Sequence, residues 1–453
     1  MTHTTTPDAN NSTLATRAPA REVLQAAFNR IRANTIALTN PLEIEDQVVQ
    51  TCEEVSPTKW HLGHTSWFFE TLILKPLLPG YEVLNERYEY IFNSYYNAVG
   101  PQFSRPHRGV LSRPTVAEIH DYRAHVERSM NVFFRNADAQ TWERAASSVE
   151  VGLHHEQQHQ ELILTDIKEV LSHNPLSPAP YTPGRQVPHP VLTQTLQWCG
   201  FEGGASMIGH DPGAKDATFA FDNECPRHKV LLHPFELACR PVTNREFLVF
   251  VEEGGYRDPT HWFSDGWTLL QQQGWTAPLY WNSDSGRWRH YTLCGDMDLN
   301  LDAPVAHVSF YEASAYAAWA GARLPTEDEW EHAAAAQSLP SHINLLDFST
   351  TGEAAAPVDA PRPLAAPSNN QSLTQMIGDV WEWTMSPYTP YRGFQTLDGP
   401  LSEYNGKFMC NQYVLRGGAC TTPRDHFRLT YRNFFQPEAR WQFSGFRLAR
   451  DGS

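Results

Sequence analysis

The sequence of 453 residues has no run of about 18 apolar residues, so nothing in it reads as a membrane-spanning helix. Positive charge is scarce: 35 Lys and Arg stand against 51 Asp and Glu, for a formal net charge of −16. That balance argues against a general binder of nucleic acid or anionic membrane, since both need a basic footprint. It leaves room for a local basic pocket that takes a small anion. Cysteine is also sparse. Seven residues (Cys52, Cys199, Cys225, Cys239, Cys294, Cys410, Cys420), odd in number and without a CxxC pair, make no disulfide framework and fit a reducing cytoplasm. Residues 1–19 lack both a basic segment and an apolar segment, and so read as a disordered tail rather than a secretory signal. Internal repeats are absent, and the sequence sets no oligomeric state.

What is present is a globular composition, with 41% hydrophobic and 12% aromatic residues. The length suits two to four domains. Residues 20–173 carry apolar positions at helical spacing in four segments, which predicts a four-helix bundle. The segments are REVLQAAFNRIRANTIALT, SPTKWHLGHTSWFFETLILKPLL, TVAEIHDYRAHVERSMNVFF and SSVEVGLHHEQQHQELILTDIKEVLSH. Ser56-Pro57 reads as a cap followed by a proline in the first turn of the second segment. Residues 174–190 are dense in proline and predict a linker. From 191 to 453 short β-like runs alternate with Gly, Pro, Asn and Asp around one clear helix, SFYEASAYAAWAGA, so the fold class is α+β. Residues 347–370 read as a mobile loop.

The sharpest chemical signal is His155-Glu156-Gln157-Gln158-His159. Positions i and i+4 lie on one helix face, so two imidazoles there can reach one metal ion, with Gln158 beside it. A third histidine, from the cluster Trp60-His61-Leu62-Gly63-His64, completes a three-nitrogen site that leaves positions open for other ligands. Neutral imidazoles suit Fe, Zn, Cu or Ni, so the ligands alone do not choose the metal. HEQQH also matches the zinc-hydrolase pattern in which Glu156 is the general base. The third ligand of that class does not follow, because the chain runs on as QELILTDI.

Three further segments carry polar groups suited to a site. Tyr95 and Tyr96 in NSYYNAVG can donate protons. Arg105 and Arg108, with Arg113 beyond, are spaced to clamp a carboxylate. Tyr431-Arg432-Asn433-Phe434-Phe435 joins an amide to aromatic faces that attract quaternary ammonium groups. The second aromatic cluster, Trp381-Glu382-Trp383, reads first as core packing.

The stretches PVAHVSFYEASAYAAWAGARLPTEDEWEHAA, GDVWEWT, YVLRGGAC and WQFSGFRLAR resemble the formylglycine-generating-enzyme domain, a C-type-lectin-like fold. SPTKWHLGHTSWFFET and HHEQQHQEL resemble a DinB-like four-helix bundle. The two in this order are similar to the ergothioneine-biosynthesis sulfoxide synthases, over nearly everything after the tail. The resemblance implies non-haem Fe(II) held by His64, His155 and His159, with His61 and His154 as neighbours. It implies O2-dependent joining of a cysteine-derived sulfur to the imidazole C2 of hercynine, leaving a sulfoxide. Tyr95 or Tyr96 corresponds to the proton donor of the cysteine-using branch. Arg105 and Arg108 match the pair that holds the sulfur donor's carboxylate. Gln158 and Asn433 match residues that orient hercynine, and Phe434 and Phe435 its aromatic wall.

Two departures sharpen that reading. Members that use γ-glutamylcysteine carry an Asp two residues after the matching Asn and an Arg four residues beyond, where this chain has Phe435 and Ala439; free cysteine is the expected donor. Cys420 lacks the second cysteine of formylglycine-generating enzymes, Asp425 standing there, so the second half is expected to serve as lid and wall. No methyltransferase domain follows Arg450, which argues against an ovothiol-type enzyme. A selenium-transferring branch shares the architecture and stays as an alternative.

Overall fold

The computed structural model describes residues 20–182, 195–215, 217–283, 287–337, 343–348, 361–362 and 372–452. The expected N-terminal tail, the second part of the linker and most of the 347–370 loop lie outside these residues.

The first half is helical, as its apolar spacing requires. Helix α1 (Arg21–Thr39) buries Leu24, Phe28, Ile31 and Leu38 along one stripe. Helix α2 (Thr58–Phe69) is buried at all 12 positions, which makes it the central helix. It continues through a π-helical turn (Glu70–Leu74) into α3 (Lys75–Leu77). A short α4 (Tyr88–Phe92) follows. Helix α5 (Val116–Asn136) starts at a capping box in which Thr115 and Glu118 satisfy each other's backbone N–H groups. Helix α6 (Ala139–Ser172), capped by Asp138, runs for 34 residues. Helix α6 packs on α1 and α2, and α2 packs on α5. The expected Ser56 cap is not formed, because α2 opens after Pro57 with no side-chain cap. Ser56 instead donates its N–H to Asp166 and accepts from Arg108, so tertiary partners displace the local one.

The second half contains β1 (Trp198–Phe201), β2 (Gly204–Ile208), β3 (His228–Leu232), β4 (Phe235–Ala238), α7 (Asn244–Glu252) and α8 (Ser264–Gln273). These lead to β5 (Trp281–Asn282), β6 (Arg289–Thr292), β7 (Gly295–Asp298), α9 (Phe310–Trp319) and α10 (Glu327–Ala335). The chain ends with β8 (Trp381–Pro387), β9 (Tyr413–Arg416), β10 (Asn433–Phe435), β11 (Ser444–Gly445) and β12 (Ala449–Asp451). The sheets are small, in the orders β1-β4-β12, β10-β9-β8-β11, β2-β3 and β5-β6-β7. Trp381 and Trp383 on β8 are buried core residues, as first read. Between them Glu382 takes both its oxygens to Arg447, at 2.6 and 2.7 Å, a bidentate pair inside the core.

The two halves share one contiguous apolar core, running from Leu24 and Phe28 to Phe443 and Phe446. Helix α6 is the common wall. Its Glu161 accepts from Trp381 Nε1 at 2.6 Å and from Thr422 Oγ1 at 2.7 Å. Further along, Lys168 Nζ lies 3.0 Å from His307 Nε2. This wall puts the HEQQH turn between the bundle and the β-rich half.

Candidate metal centre

His64, His155 and His159 converge, with ligand nitrogens all within 4.8 Å of one another. Among the described residues they are the one cluster of three or more His, Cys, Asp or Glu arranged to hold a metal. Each is buried, and each side chain is turned by its helix. His64 Nδ1 faces the Phe92 carbonyl at 2.6 Å, which leaves Nε2 pointing at the triad. His159 Nδ1 is engaged by His61 Nδ1 at 2.8 Å. His155 Nε2 stands 3.1 Å from His64 Nε2, and its Nδ1 has no partner. Two ligands at right angles on a metal about 2.1 Å away are about 3.0 Å apart, so this spacing suits two neighbouring corners of one coordination shell. The donor set fits a borderline cation such as Fe(II).

Electrostatics agree with neutral ligands. Burial, reinforced by mutual repulsion, holds His64 and His159 well below the usual histidine range, and burial brings His155 down to about 3. Imidazoles that stay unprotonated are ready to coordinate.

The HEQQH turn divides its neighbours. Glu156 points away from the triad into the bundle. Thr35 Oγ1 donates to it at 2.8 Å, Arg123 at 2.9 Å and Arg32 at 3.1 Å. Burial alone raises a carboxyl, but the two guanidinium groups overcome it and hold Glu156 down to about 2. It is therefore no base for a metal-bound water, and the zinc-hydrolase alternative fails on geometry. His154 also stays outside the triad, with Nδ1 at 2.9 Å from His426 Nδ1.

The other expected site residues take the following places. Arg108 is buried, its guanidinium 3.4 Å from the ring centre of Trp60, which stacks on His64 at 4.7 Å. It donates to Ser56 Oγ at 2.9 Å, while its Nε has no partner. Arg105 is exposed and donates to the Glu54 carbonyl, so the two arginines are held differently. Tyr96 is fully buried against Trp67, and its hydroxyl lies 3.5 Å from that of the half-buried Tyr95. Gln158 donates to Tyr431 Oη at 2.7 Å and accepts from Tyr404 Oη. Asn433, on β10, accepts the N–H of Phe434. Phe434 stacks on Tyr388 at 4.0 Å, and Phe435 meets Trp441 edge-on at 5.8 Å.

Sequence reading missed Asp166, Tyr404 and Trp441, and it named Tyr431 only as part of the aromatic segment around Asn433. Tyr404 stands edge-on to His155 at 5.9 Å. Asp166 had a signal, an acidic residue two turns after His159 in an apolar stretch. Tyr404 and Trp441 had none, since they reach α6 from distant loops.

Comparisons with known proteins follow the same division. Residues 200–452 match the sulfatase-modifying factor enzyme 1-like domain. The chain is 34% identical over 417 residues to a hercynine oxygenase of Mycolicibacterium thermoresistibile, covering 88% of each. A hercynine oxygenase of Mycolicibacterium smegmatis is 38% identical over 263 residues, which is 55% of this chain and 60% of that protein. The formylglycine-generating enzyme of Bos taurus is 28% identical over 276 residues, 53% of this chain and 71% of that protein. With a helical half and a sulfatase-modifying-factor half joined along α6 over a three-histidine cluster, the chain belongs to the hercynine oxygenase family of ergothioneine-biosynthesis sulfoxide synthases and is an oxidoreductase.

Proposed function

We propose that this enzyme is an Fe(II)- and O2-dependent sulfoxide synthase that joins free cysteine to C2 of the imidazole of hercynine. The observation that carries the reading is the convergence of His64, His155 and His159 beside a buried arginine with an unfilled donor. The overall change balances: the thiol and the imidazole C–H each give up one hydrogen, a C–S bond forms, and O2 supplies one oxygen to sulfur and one to water. Bound Fe(II) supplies one-electron chemistry with O2 and acidifies a coordinating thiol.

The protein's own groups do the rest. Arg108 offers its free Nε and its charge to the cysteine carboxylate, with Arg105 at the outer edge. Gln158, fixed by Tyr404 and Tyr431, orients hercynine together with Asn433. Phe434 and Phe435 form the aromatic wall for its trimethylammonium group. Tyr96 holds the acid proton, and Tyr95, half-buried and next in line, replenishes it. The bundle over 20–173, DinB-like in type, carries the metal. The lectin-like part over 191–453 covers the site and excludes water. The proposed setting is a reducing cytoplasm, with small-molecule substrates as the partners.

The test is anaerobic reconstitution with Fe(II), then O2 consumption and mass spectrometry of products. Hercynine is supplied with cysteine, γ-glutamylcysteine or a selenium donor. O2 uptake that requires Fe(II), hercynine and cysteine together supports the proposal. Preferred transfer of selenium reassigns the donor. Normal turnover by His64→Ala and His155→Ala variants ends the metal-site reading.

A further inference from the structure

A chain of buried hydrogen bonds runs from the second half of the molecule to a metal-site histidine. His159 Nδ1 lies 2.8 Å from His61 Nδ1, and His61 Nε2 lies 3.0 Å from Asp166 Oδ2. His61 and Asp166 are 2% and 3% exposed, too dry for water to replace any link. Asp166 Oδ2 also accepts the N–H of Ser56 at 2.8 Å, and Oδ1 accepts the indole N–H of Trp441 at 3.3 Å.

These partners set the direction of each hydrogen bond in the chain for a neutral His61. A backbone N–H and an indole N–H can only donate, so both Asp166 oxygens act as acceptors. His61 therefore carries its hydrogen on Nε2 and donates it to Asp166. In neutral His61 that leaves Nδ1 as a lone pair. The proton between the two Nδ1 atoms then belongs to His159. With Nδ1 protonated and engaged by His61, neutral His159 has its lone pair on Nε2, the nitrogen left for a metal. The opposite setting would put a hydrogen on His159 Nε2 and block it as a ligand.

We propose that Asp166, acting through His61, is a positioning residue that fixes the tautomer of His159, and that Trp441 keeps Asp166 an acceptor. The proposal rests on the metal-site reading above. It brings the β-rich half to the end of this chain, because Trp441 reaches α6 from that half to donate to Asp166, and its ring meets Phe435. Carboxylate–histidine pairs behind a ligand typically change metal affinity by about 10- to 100-fold.

Replacement of Asp166 by Asn separates hydrogen-bond direction from shape. An amide that offers its oxygen to Ser56 and His61 must turn its NH2 toward the Trp441 N–H, donor against donor. The flipped amide turns its NH2 toward His61 and the Ser56 N–H, again donor against donor, and reverses the chain, so neither setting of the amide in Asp166→Asn reproduces the carboxylate's bonds. Trp441→Phe removes the opposing donor and lets the amide oxygen face His61, with Thr165 Oγ1 at hand for the NH2.

The test uses the full-length metal-free protein with Co(II) alone as probe, under anaerobic conditions and without substrate. Affinity is read by competition with a chelator, and the coordination shell by the visible d–d spectrum. Asp166→Asn is expected to bind about 10- to 100-fold more weakly, Trp441→Phe to bind near wild type, and the double variant to regain most of the loss. Melting of the metal-free proteins is expected to show the double variant no more stable than Asp166→Asn, so that recovered affinity reflects the hydrogen bond and not the fold. Wild-type affinity in Asp166→Asn overturns the proposal. So does a double variant as weak as the single one. A wild-type protein that binds no Co(II) overturns the metal-site reading itself, and the relay with it.

Discussion

His155 and Glu156 are consecutive on α6 and face different partners. His155 Nε2 stands 3.1 Å from His64 Nε2, while the Glu156 carboxylate meets Arg123 at 2.9 Å inside the bundle. One residue of helix rotation, about 100°, separates a metal-site group from a structural one. The same step explains how a hydrolase-like motif exists here without a hydrolase's base.

The first prediction follows from that pair. Glu156→Gln removes the fully buried counter-charge shared by Arg32 and Arg123 and leaves them only Glu127 at the edge of the bundle, 3.0 Å from Arg32, at a cost of roughly 3–5 kcal/mol. Denaturant unfolding of the metal-free protein is expected to show the loss, with Co(II) still bound by the folded fraction. A variant of wild-type stability contradicts the structural role assigned to Glu156.

Metal binding should stabilise the fold. Three neutral imidazoles on two helices bind the cation only when α2 and α6 are packed. At 100 times the dissociation constant the gain is about 2.7 kcal/mol. A rise in melting temperature with Co(II) or Fe(II), lost in His64→Ala, is the expected result. An equal rise in that variant places the ion elsewhere.

The tyrosine pair makes a prediction about rate and pH. Burial pushes Tyr95 up to about 12 and Tyr96 well above its ordinary value, so both phenols keep their protons through the working range. The turnover–pH profile should therefore show no alkaline fall from these groups up to about pH 10. Tyr96→Phe is expected to lower kcat by about 100-fold or more, and Tyr95→Phe by less. The reverse order exchanges their roles.

Donor choice is testable at β10. Arg440, one position from where γ-glutamylcysteine users carry an arginine, is tied to Glu312 at 3.3 Å and lies over Trp275 at 4.2 Å. It is thus not available to a glutamyl group. Cysteine should outcompete γ-glutamylcysteine in mixed-donor product analysis. Phe435→Asp with Ala439→Arg should shift the ratio toward γ-glutamylcysteine by about tenfold or more. Equal use of both donors by the wild type contradicts the assignment.

A last prediction concerns acid. Burial, with the nearby Lys168 charge, lowers His290 to about 3. Its folded pKa lies below the unfolded value of about 6.5, so the unfolded chain binds the extra proton. His290 costs nothing above pH 6.5, and stability falls as pH drops from there toward 3. His290→Gln should flatten that slope by about 1–2 kcal/mol at pH 4.5, read by urea midpoints. An unchanged slope assigns the acid loss to other groups.

Much of this protein is local and was therefore readable. Apolar spacing in REVLQAAFNRIRANTIALT gives α1 at the residues observed, Arg21–Thr39. Apolar spacing in TVAEIHDYRAHVERSMNVFF likewise gives α5, Val116–Asn136. The i, i+4 spacing of His155 and His159 puts both on one helix face before any partner is known. These features depend on neighbours within a turn or two of chain, and backbone geometry alone relates them.

What the tertiary structure decided depends on partners far along the chain. His61 and His64 share a side of α2, and their spacing does not choose between them. The Phe92 carbonyl turns His64 toward the metal site, while Asp166, 105 residues away, claims His61. Ser56 looks like a helix cap until Asp166 and Arg108 take its polar atoms. Gln158 meets Tyr404 and Tyr431 across separations of 246 and 273 residues. Periodicity fixes which way a side chain leaves its own helix; only the packing of one element on another supplies the group it finds there.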